Sequence, residues 1–270
     1  MPHTLIPLGL NGYIPTFGRH TTSFLVLSDE VAIILDAGTG IARLAEPALR
    51  ERLAAYDTVH VILSHYHLDH VIGLFYLSAL AEGKTVHVLG PAPPLTEYGP
   101  EQALTQLMSP PLSPRLFTEH YDDIHLHDIG TAPFHIGGIP FTAWPQRHPG
   151  GSIGLRMGNA LAYMTDRAMD PADARHIQGV DLLLHEVWFT DAEATANPEK
   201  LEIHSSEGAV ADFAREAGIA RFMPIHHHPT RSEEALGNLC TDMETRAGLP
   251  VLRPEEGKAY PLAPAGQASC

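Results

Sequence analysis

Residues 64–70 read Ser-His-Tyr-His-Leu-Asp-His, an H-x-H-x-D-H cluster that crowds four metal-binding side chains into six positions. No other stretch restricts the fold as much, because all four groups must be turned toward a common interior point. The apolar run Val61-Ile62-Leu63 before the cluster reads as a buried strand, and the apolar stretch 71–80 after it reads as a helix. The cluster is therefore expected in a strand-to-helix loop, where a tight turn can aim successive side chains inward. His65 and His67 can then grip one ion, while Asp69 and His70 grip a second. Imidazole with carboxylate suits zinc first and also admits manganese or iron.

Histidine and aspartate recur downstream in distinctive settings: His148 in Arg-His-Pro-Gly-Gly-Ser-Ile-Gly, Asp166 in Ala-Tyr-Met-Thr-Asp, and His226 in Phe-Met-Pro-Ile-His-His-His-Pro. Upstream, 33–40 has the form of a strand closed by a glycine turn. Together these motifs resemble the metallo-β-lactamase-fold hydrolases. The resemblance implies an α/β (α+β) fold, a four-layer αββα sandwich of two sheets between helices, with the metal site at one edge. It implies two divalent ions, one held by His65, His67 and His148, the other by Asp69, His70 and His226, with Asp166 bridging them. The triple histidine leaves either His226 or His227 as the last ligand. Register favours His226, which makes His227 and His228 a solvated loop.

Within that family the chain is most similar to the ribonuclease Z-like branch, which includes small cyclic phosphodiesterases. The likeness rests on Leu-Leu-His-Glu-Val-Trp-Phe at 183–189, on His204 followed by Ser205 and Ser206, and on the His148-Pro-Gly-Gly-Ser loop. It implies a hydroxide shared by two ions as nucleophile, directed by Asp69. It implies His204 as a catalytic histidine that is not a ligand, protonating the leaving oxygen or holding transition-state charge, with Glu186 orienting it. On the residues alone, His204 could be a helix-start histidine bonded to nearby backbone, and Glu186 a solvated strand-end carboxylate.

With 270 residues and a 44% apolar fraction, the chain is expected to form one domain over 1–270. Its longest apolar stretch, 71–81, is too short to span a bilayer, and the opening residues lack a signal-peptide pattern. Only Cys240 and Cys270 are present, which is no disulfide framework and fits a reducing cytoplasm. Strands are expected at 23–27 and 31–35 as a hairpin, and at 86–89, 139–144, 153–157 and 161–164. One helix is expected after Ser205 or Ser206, with Ala209, Val210, Phe213, Ala214 and Ala217 on its apolar face. Another is expected to open with Thr230 and Glu233 in capping-box spacing and to bury Leu236, Leu239, Cys240 and Met243. His125 and His135 fall in alternating strands and should face solvent; His20 reads as a surface residue that could approach the site. The segment 91–120 carries seven of the 23 prolines around a short helix behind Pro100. It reads either as a stiff surface excursion or as a lid, with Met108, Leu112, Leu116 and Phe117 as apolar cover over the metals.

Charge narrows the substrate. Seventeen Lys plus Arg against 32 Asp plus Glu leave a net charge of −15, a poor match for a polyanion. The tRNA-processing members of the similar branch carry a long arm between the third histidine and the bridging aspartate, whereas His148 and Asp166 are 18 positions apart here. A polymeric nucleic acid is thus disfavoured, although Arg147, Arg156 and Arg167 could form a local basic patch; they read more simply as scattered surface or strand-end charges, one of which could contact a small phosphate. The best expectation is a phosphodiesterase acting on a small-molecule substrate, a small or cyclic phosphodiester, with lactonase or thioesterase chemistry as the runner-up. A non-catalytic scaffold fits poorly with a full ligand set, and a flavin-linked di-iron enzyme would resemble H-x-E-x-D-H. Similar proteins commonly form homodimers, and no membrane partner is expected.

Overall fold

Apolar runs and alternating strands sort into two sheets in the computed structural model, which describes residues 3–119 and 123–265. In the first sheet, β1 (His3–Gly9), β2 (Ser23–Leu27), β3 (Ala32–Leu35), β4 (Thr58–Ile62), β5 (Thr85–Pro91) and β6 (Ile124–Ile129) lie side by side in that order. The second contains β7 (Phe134–Ile136), β8 (Ile139–Gln146), β9 (Ser152–Met157), β10 (Leu161–Met164), β11 (Leu182–Glu186) and β12 (Arg221–Ile225). The last strand, β13 (Tyr260–Leu262), returns to pair antiparallel with β1. Strands β3 to β6 run parallel, as do β10 to β12. Parallel strands covered on both faces need near-continuous apolar residues, and Ala32–Leu35 is buried at every position.

Three apolar layers hold the sandwich. Ile33, Leu35, Ile62, Ile153, Leu155, Leu184 and Ile225 meet between the sheets. On the outer face of the first sheet, Val59, Val61 and Val88 pack under helices α1 (Pro47–Ala54), α2 (Leu68–Val71), α3 (Leu74–Leu80) and α4 (Pro100–Leu107). Ala162, Leu183 and Phe222 pack under the helices beyond the second sheet: α5 (Ala174–Ile177), α7 (Glu207–Glu216) and α8 (Glu233–Ala247), while α6 (Asp191–Ala196) lies nearby in sequence before α7. This is the αββα sandwich expected from the residues and motifs.

Several local expectations change. The helix over 71–80 is two helices, because the Gly73 amide donates to the Ala37 carbonyl (2.7 Å) rather than continuing the helical ladder. A Cβ at Gly73 would lie 2.2 Å from the Gly38 oxygen, so the turn needs glycine there. The second long helix is capped by Ser232, whose hydroxyl accepts from the Ala235 amide (3.2 Å), while the Thr230 hydroxyl pairs with His228 Nδ1 (2.9 Å). In 91–120, whose last residue lies outside the described ones, Met108 and Phe117 are buried under the first sheet with Leu104 and are not cover for the metals; Leu112 stays exposed. Cys240 is buried as expected, and Cys270 lies outside the described residues. Among the described residues no helix is long and apolar enough to cross a membrane.

Candidate metal centre

The centre forms where the C-terminal ends of β4, β10, β11 and β12 meet. At the end of β3, Asp36 holds a left-handed φ of 55° and turns its buried carboxylate toward the loop after β4. It accepts from the Ser64 amide (2.6 Å), the Ser64 hydroxyl (2.7 Å), the Tyr163 hydroxyl (2.5 Å) and His70 Nδ1 (2.7 Å). These bonds pin the start of the H-x-H-x-D-H loop and hold the His70 proton on Nδ1, leaving Nε2 to face the centre. Gly38 permits the packing: a Cβ there would lie 2.5 Å from the Asp69 oxygen. The Asp69 carboxylate is aligned by the backbone amide of Tyr13 (2.7 Å).

Asp166 lies at the middle of the cluster on a φ of 46°. Its Oδ2 is 3.0 Å from His70 Nε2, 3.3 Å from both His65 Nε2 and His226 Nε2, and 4.0 Å from His148 Nε2. Side chains converge there in overlapping groups: His65, His67, His148 and Asp166; Asp69, His70, Asp166 and His226; and Asp166, Glu186, His204 and His226. Within each group the ligand-capable atoms lie within 4.8 Å of one another. The first two groups are the partition expected from the sequence. Of the histidine triplet, His226 enters these groups.

His227 does not face solvent as the sequence suggested. It is fully buried because its backbone pairs with the chain after β1, its amide donating to Leu10 O (2.9 Å) and its carbonyl accepting from the Gly12 amide (2.9 Å). Burial and the neighbouring Arg19 and Arg231 push it down to about 3. His228 is half-buried against Trp188. His20 is half-buried and belongs to none of the three groups, while His125 and His135 are exposed on strands as expected.

Does the donor set fit metal ions? His67 Nδ1 and His148 Nε2 are 3.1 Å apart, and His70 Nε2 and His226 Nε2 are 3.3 Å apart. Two bonds of about 2.0–2.1 Å to one tetrahedral ion span such a gap. His65 Nε2 and His148 Nδ1 are buried without hydrogen bonds. Burial opposes charge on His70, yet Asp69, Asp36 and Asp166 draw its pKa well above the ordinary value. The field of the site thus favours positive charge. Divalent cations fit these residues.

Beside the cluster, His204 Nδ1 sits 3.0 Å from Glu186 Oε2 and 3.7 Å from Asp166 Oδ1. Its ring stacks on Trp188 at 4.2 Å with 5° between planes. Glu186, at the end of β11, is fully buried and also accepts from the Ser205 amide (2.8 Å). Burial works against its charge, but His204 and His226 hold it at about 2. In turn Glu186 raises His204 above the ordinary histidine value despite burial.

Sequence reasoning passed over Asp36, Tyr163 and Trp188 as parts of the centre. An acid at a strand end before glycine was the available signal for Asp36. The envisaged basic patch is absent. Arg167 is buried on Asp173 (2.6 Å), and Arg156 is bonded to the carbonyls of Gly158 (2.8 Å) and His176 (2.9 Å). Arg147 stays exposed, 3.9 Å from Glu202.

Residues 32–227 match the family model of the β-lactamase superfamily domain. The chain is 26% identical over 281 residues to a ribonuclease Z of Porphyromonas gingivalis, spanning 86% of this chain and 90% of that protein. It superposes on the metallo-β-lactamase-fold protein YhfI from Bacillus subtilis with a TM-score of 0.76 at 19% identity, covering 97% of this chain and 100% of that one. A diphosphatase of the PhnP family matches with a TM-score of 0.66 at 19% identity, over 97% of this chain and 98% of that one. The two structural likenesses are likenesses of fold.

Proposed function

This chain belongs to the β-lactamase superfamily and is a metal-dependent hydrolase, and we propose that it is a binuclear phosphodiesterase acting on a small or cyclic phosphodiester. In this reading residues 1–270 act as one domain. His65, His67 and His148 hold one ion, Asp69, His70 and His226 hold the other, and Asp166 bridges them. The imidazole-rich donor set suits zinc, with manganese or iron as substitutes. Two such ions supply Lewis acidity and draw the pKa of bound water toward neutrality.

The observation that carries the reading is the His204–Glu186 pair, 3.0 Å apart and set against the cluster without being needed by either ligand group. Glu186 takes His204 Nδ1, which leaves Nε2 to give a proton to the leaving alkoxide as the phosphorus–oxygen bond breaks. Burial and the Trp188 stack fix the ring, so its orientation costs little when substrate binds. Asp69, aligned by the Tyr13 amide, accepts a hydrogen bond from the attacking water and directs it. The net charge of −15 and the burial of Arg167 speak for a small substrate over polymeric nucleic acid. Ribonuclease Z, the name of the P. gingivalis relative, belongs to phosphodiester cleavage, which supports the bond type.

The test is hydrolysis of bis(p-nitrophenyl) phosphate by metal-loaded protein, with His204→Ala beside it. Metal-dependent turnover is expected, and on a diester with a poor alkoxide leaving group the variant should lose about 10²–10⁴-fold, more than on the nitrophenyl ester, whose leaving group needs little protonation. No turnover despite two bound ions per chain would remove the phosphodiesterase reading and direct the search to lactones and thioesters.

A further inference from the structure

Four histidines outside the metal centre line up on one face of the first sheet. His60 on β4, His87 on β5 and His125 on β6 are direct cross-strand partners, and His127 stands two residues beyond His125. Ring centroids are 5.0 Å apart for His60–His87, His87–His125 and His87–His127. Ile62, Leu89 and Ile129 follow His60, His87 and His127 by two residues, and all three are buried between the sheets. The period of two in a strand therefore aims these imidazoles at the same inner side. There His60, His87 and His127 line a cavity of about 290 Å³ with His135 of β7, which belongs to the opposite sheet. None of these histidines belongs to the groups that converge at the metal centre, so this cluster is distinct from it.

Hydrogen bonding among the rings leaves much of their capacity unused. His87 Nδ1 and His127 Nε2 are 2.8 Å apart, one donating and one accepting. His60 Nδ1 is buried with no side-chain partner. His125 Nε2 is paired with the Asp123 carboxylate (2.6 Å), the outer contact that commonly orients a ligating imidazole. Burial and the adjacent His87 push His60 down to about 4, and burial with His127 and His125 lowers His87. Both are neutral at pH 7, so neither ring must lose net charge to bind an ion; the donating ring of the His87–His127 pair has only to move its proton to its other nitrogen.

We propose that this histidine ladder is a second transition-metal site, built from imidazole and separate from the catalytic centre, that takes Cu²⁺ or Zn²⁺. His87 and His127 form the pair that grips the ion, and His60 and His135 line the same cavity without joining them in a group of three close donors. A tetrahedral ion with bonds of about 2.0–2.1 Å holds two nitrogens about 3.3 Å apart. The His87–His127 pair reaches that by opening about half an ångström, an easy movement for a half-exposed and an exposed ring. Imidazole donors select copper and zinc over magnesium and calcium, and copper binds more tightly than zinc on such sites.

The test uses the full chain. Protein equilibrated with excess Zn²⁺ and desalted is assayed for ions per chain, for wild type and for His87→Ala/His127→Ala. One ion fewer in the variant is expected, with hydrolysis of bis(p-nitrophenyl) phosphate unchanged wherever wild type shows it. Cu²⁺ added to zinc-loaded wild type should give an electron paramagnetic resonance spectrum with nitrogen couplings from at least two imidazoles. The double variant should lose that spectrum and bind Cu²⁺ at least about 100-fold more weakly, since removing two ligands should cost no less than the roughly 10–100-fold lost with an outer contact. His127→Ala alone, on an exposed edge-strand position, should weaken Cu²⁺ at least about tenfold and keeps the test valid if the double variant misfolds. Equal ion counts and an unchanged copper spectrum in the variants would overturn the proposal. These readouts do not depend on the protein's being a phosphodiesterase.

Discussion

Asp36→Asn tests whether the centre is organised from behind its ligands. Burial works against the Asp36 charge, but His70 and the Ser64 donors hold its carboxyl below the ordinary carboxylate range. Asparagine is nearly isosteric, and its oxygen can still accept from the Ser64 amide. Its NH₂ group, however, would replace Oδ2 and meet the Ser64 hydroxyl, the Tyr163 hydroxyl and His70 Nδ1–H, three donors. The hydroxyls can rotate to accept. His70 can accept only by moving its proton to Nε2, the atom 3.0 Å from Asp166 and 3.3 Å from His226 Nε2. That removes the lone pair needed by an ion. Loss of such outer contacts costs about 10–100-fold in metal affinity, or about 1.4–2.7 kcal/mol. Competition titration against a chromophoric zinc chelator measures it, with circular dichroism to verify folding. Tyr163→Phe is the control: it removes one donor to the same oxygen, leaves the tautomer alone, and should cost about 1 kcal/mol of stability with little change in metal affinity. A folded Asp36→Asn protein that binds both ions as wild type does would refute the reasoning.

Three more expectations are independent of that one. Burial pushes the Glu256 carboxyl from 4.5 up to about 7 while it accepts from the Leu10 and His20 amides. Its protonated form is thus favoured by folding below about pH 4.5, and that benefit is lost as pH rises through about 7. Glu256→Gln should therefore gain about 2–8 °C in Tm relative to wild type between pH 5 and pH 8, and a pH-independent difference would contradict the assignment. Gly12→Ala would place a Cβ 2.4 Å from His226 Cε1 and 2.5 Å from Trp188 Cζ3, costing about 1–3 kcal/mol. Its metal-induced rise in Tm should shrink; an undiminished rise would mean that this backbone gives way freely. The Cys240 thiol, raised by burial to about 11, should react with Ellman's reagent at pH 8 at least ~100-fold faster after unfolding in guanidinium, measured in a Cys270→Ser background.

The centre was legible because much of it is local. Four of its groups fall within 65–70, and the strand before them predicts which way the loop must turn. Strand positions were equally readable where apolar runs are bounded by turn residues, as at 23–27 and 161–164. The misread residues depend on partners distant in the chain. His227 looks like loop until the segment after β1 is known to pair with it, and Arg167 looks like surface until Asp173 folds under it. Thr230 and Ser232 are both competent helix caps; the turn at His228 engages Thr230 and leaves the cap to Ser232. The row from His60 to His125 draws on three strands, and becomes a row only once the parallel register between them exists.

The centre is also a joint. His65, His67, Asp69 and His70 hang from the first sheet, and His148, Asp166, Glu186 and His226 from the second, so each proposed ion draws donors from both. Binding energy then appears as cohesion between the two halves, about 4 kcal/mol at a metal concentration a thousand times the dissociation constant. A chain starved of metal would lose that cohesion, and would then open more often along the seam with its β-edges within reach of proteases. Abundance of the protein would then follow the supply of the ion, with no dedicated regulator.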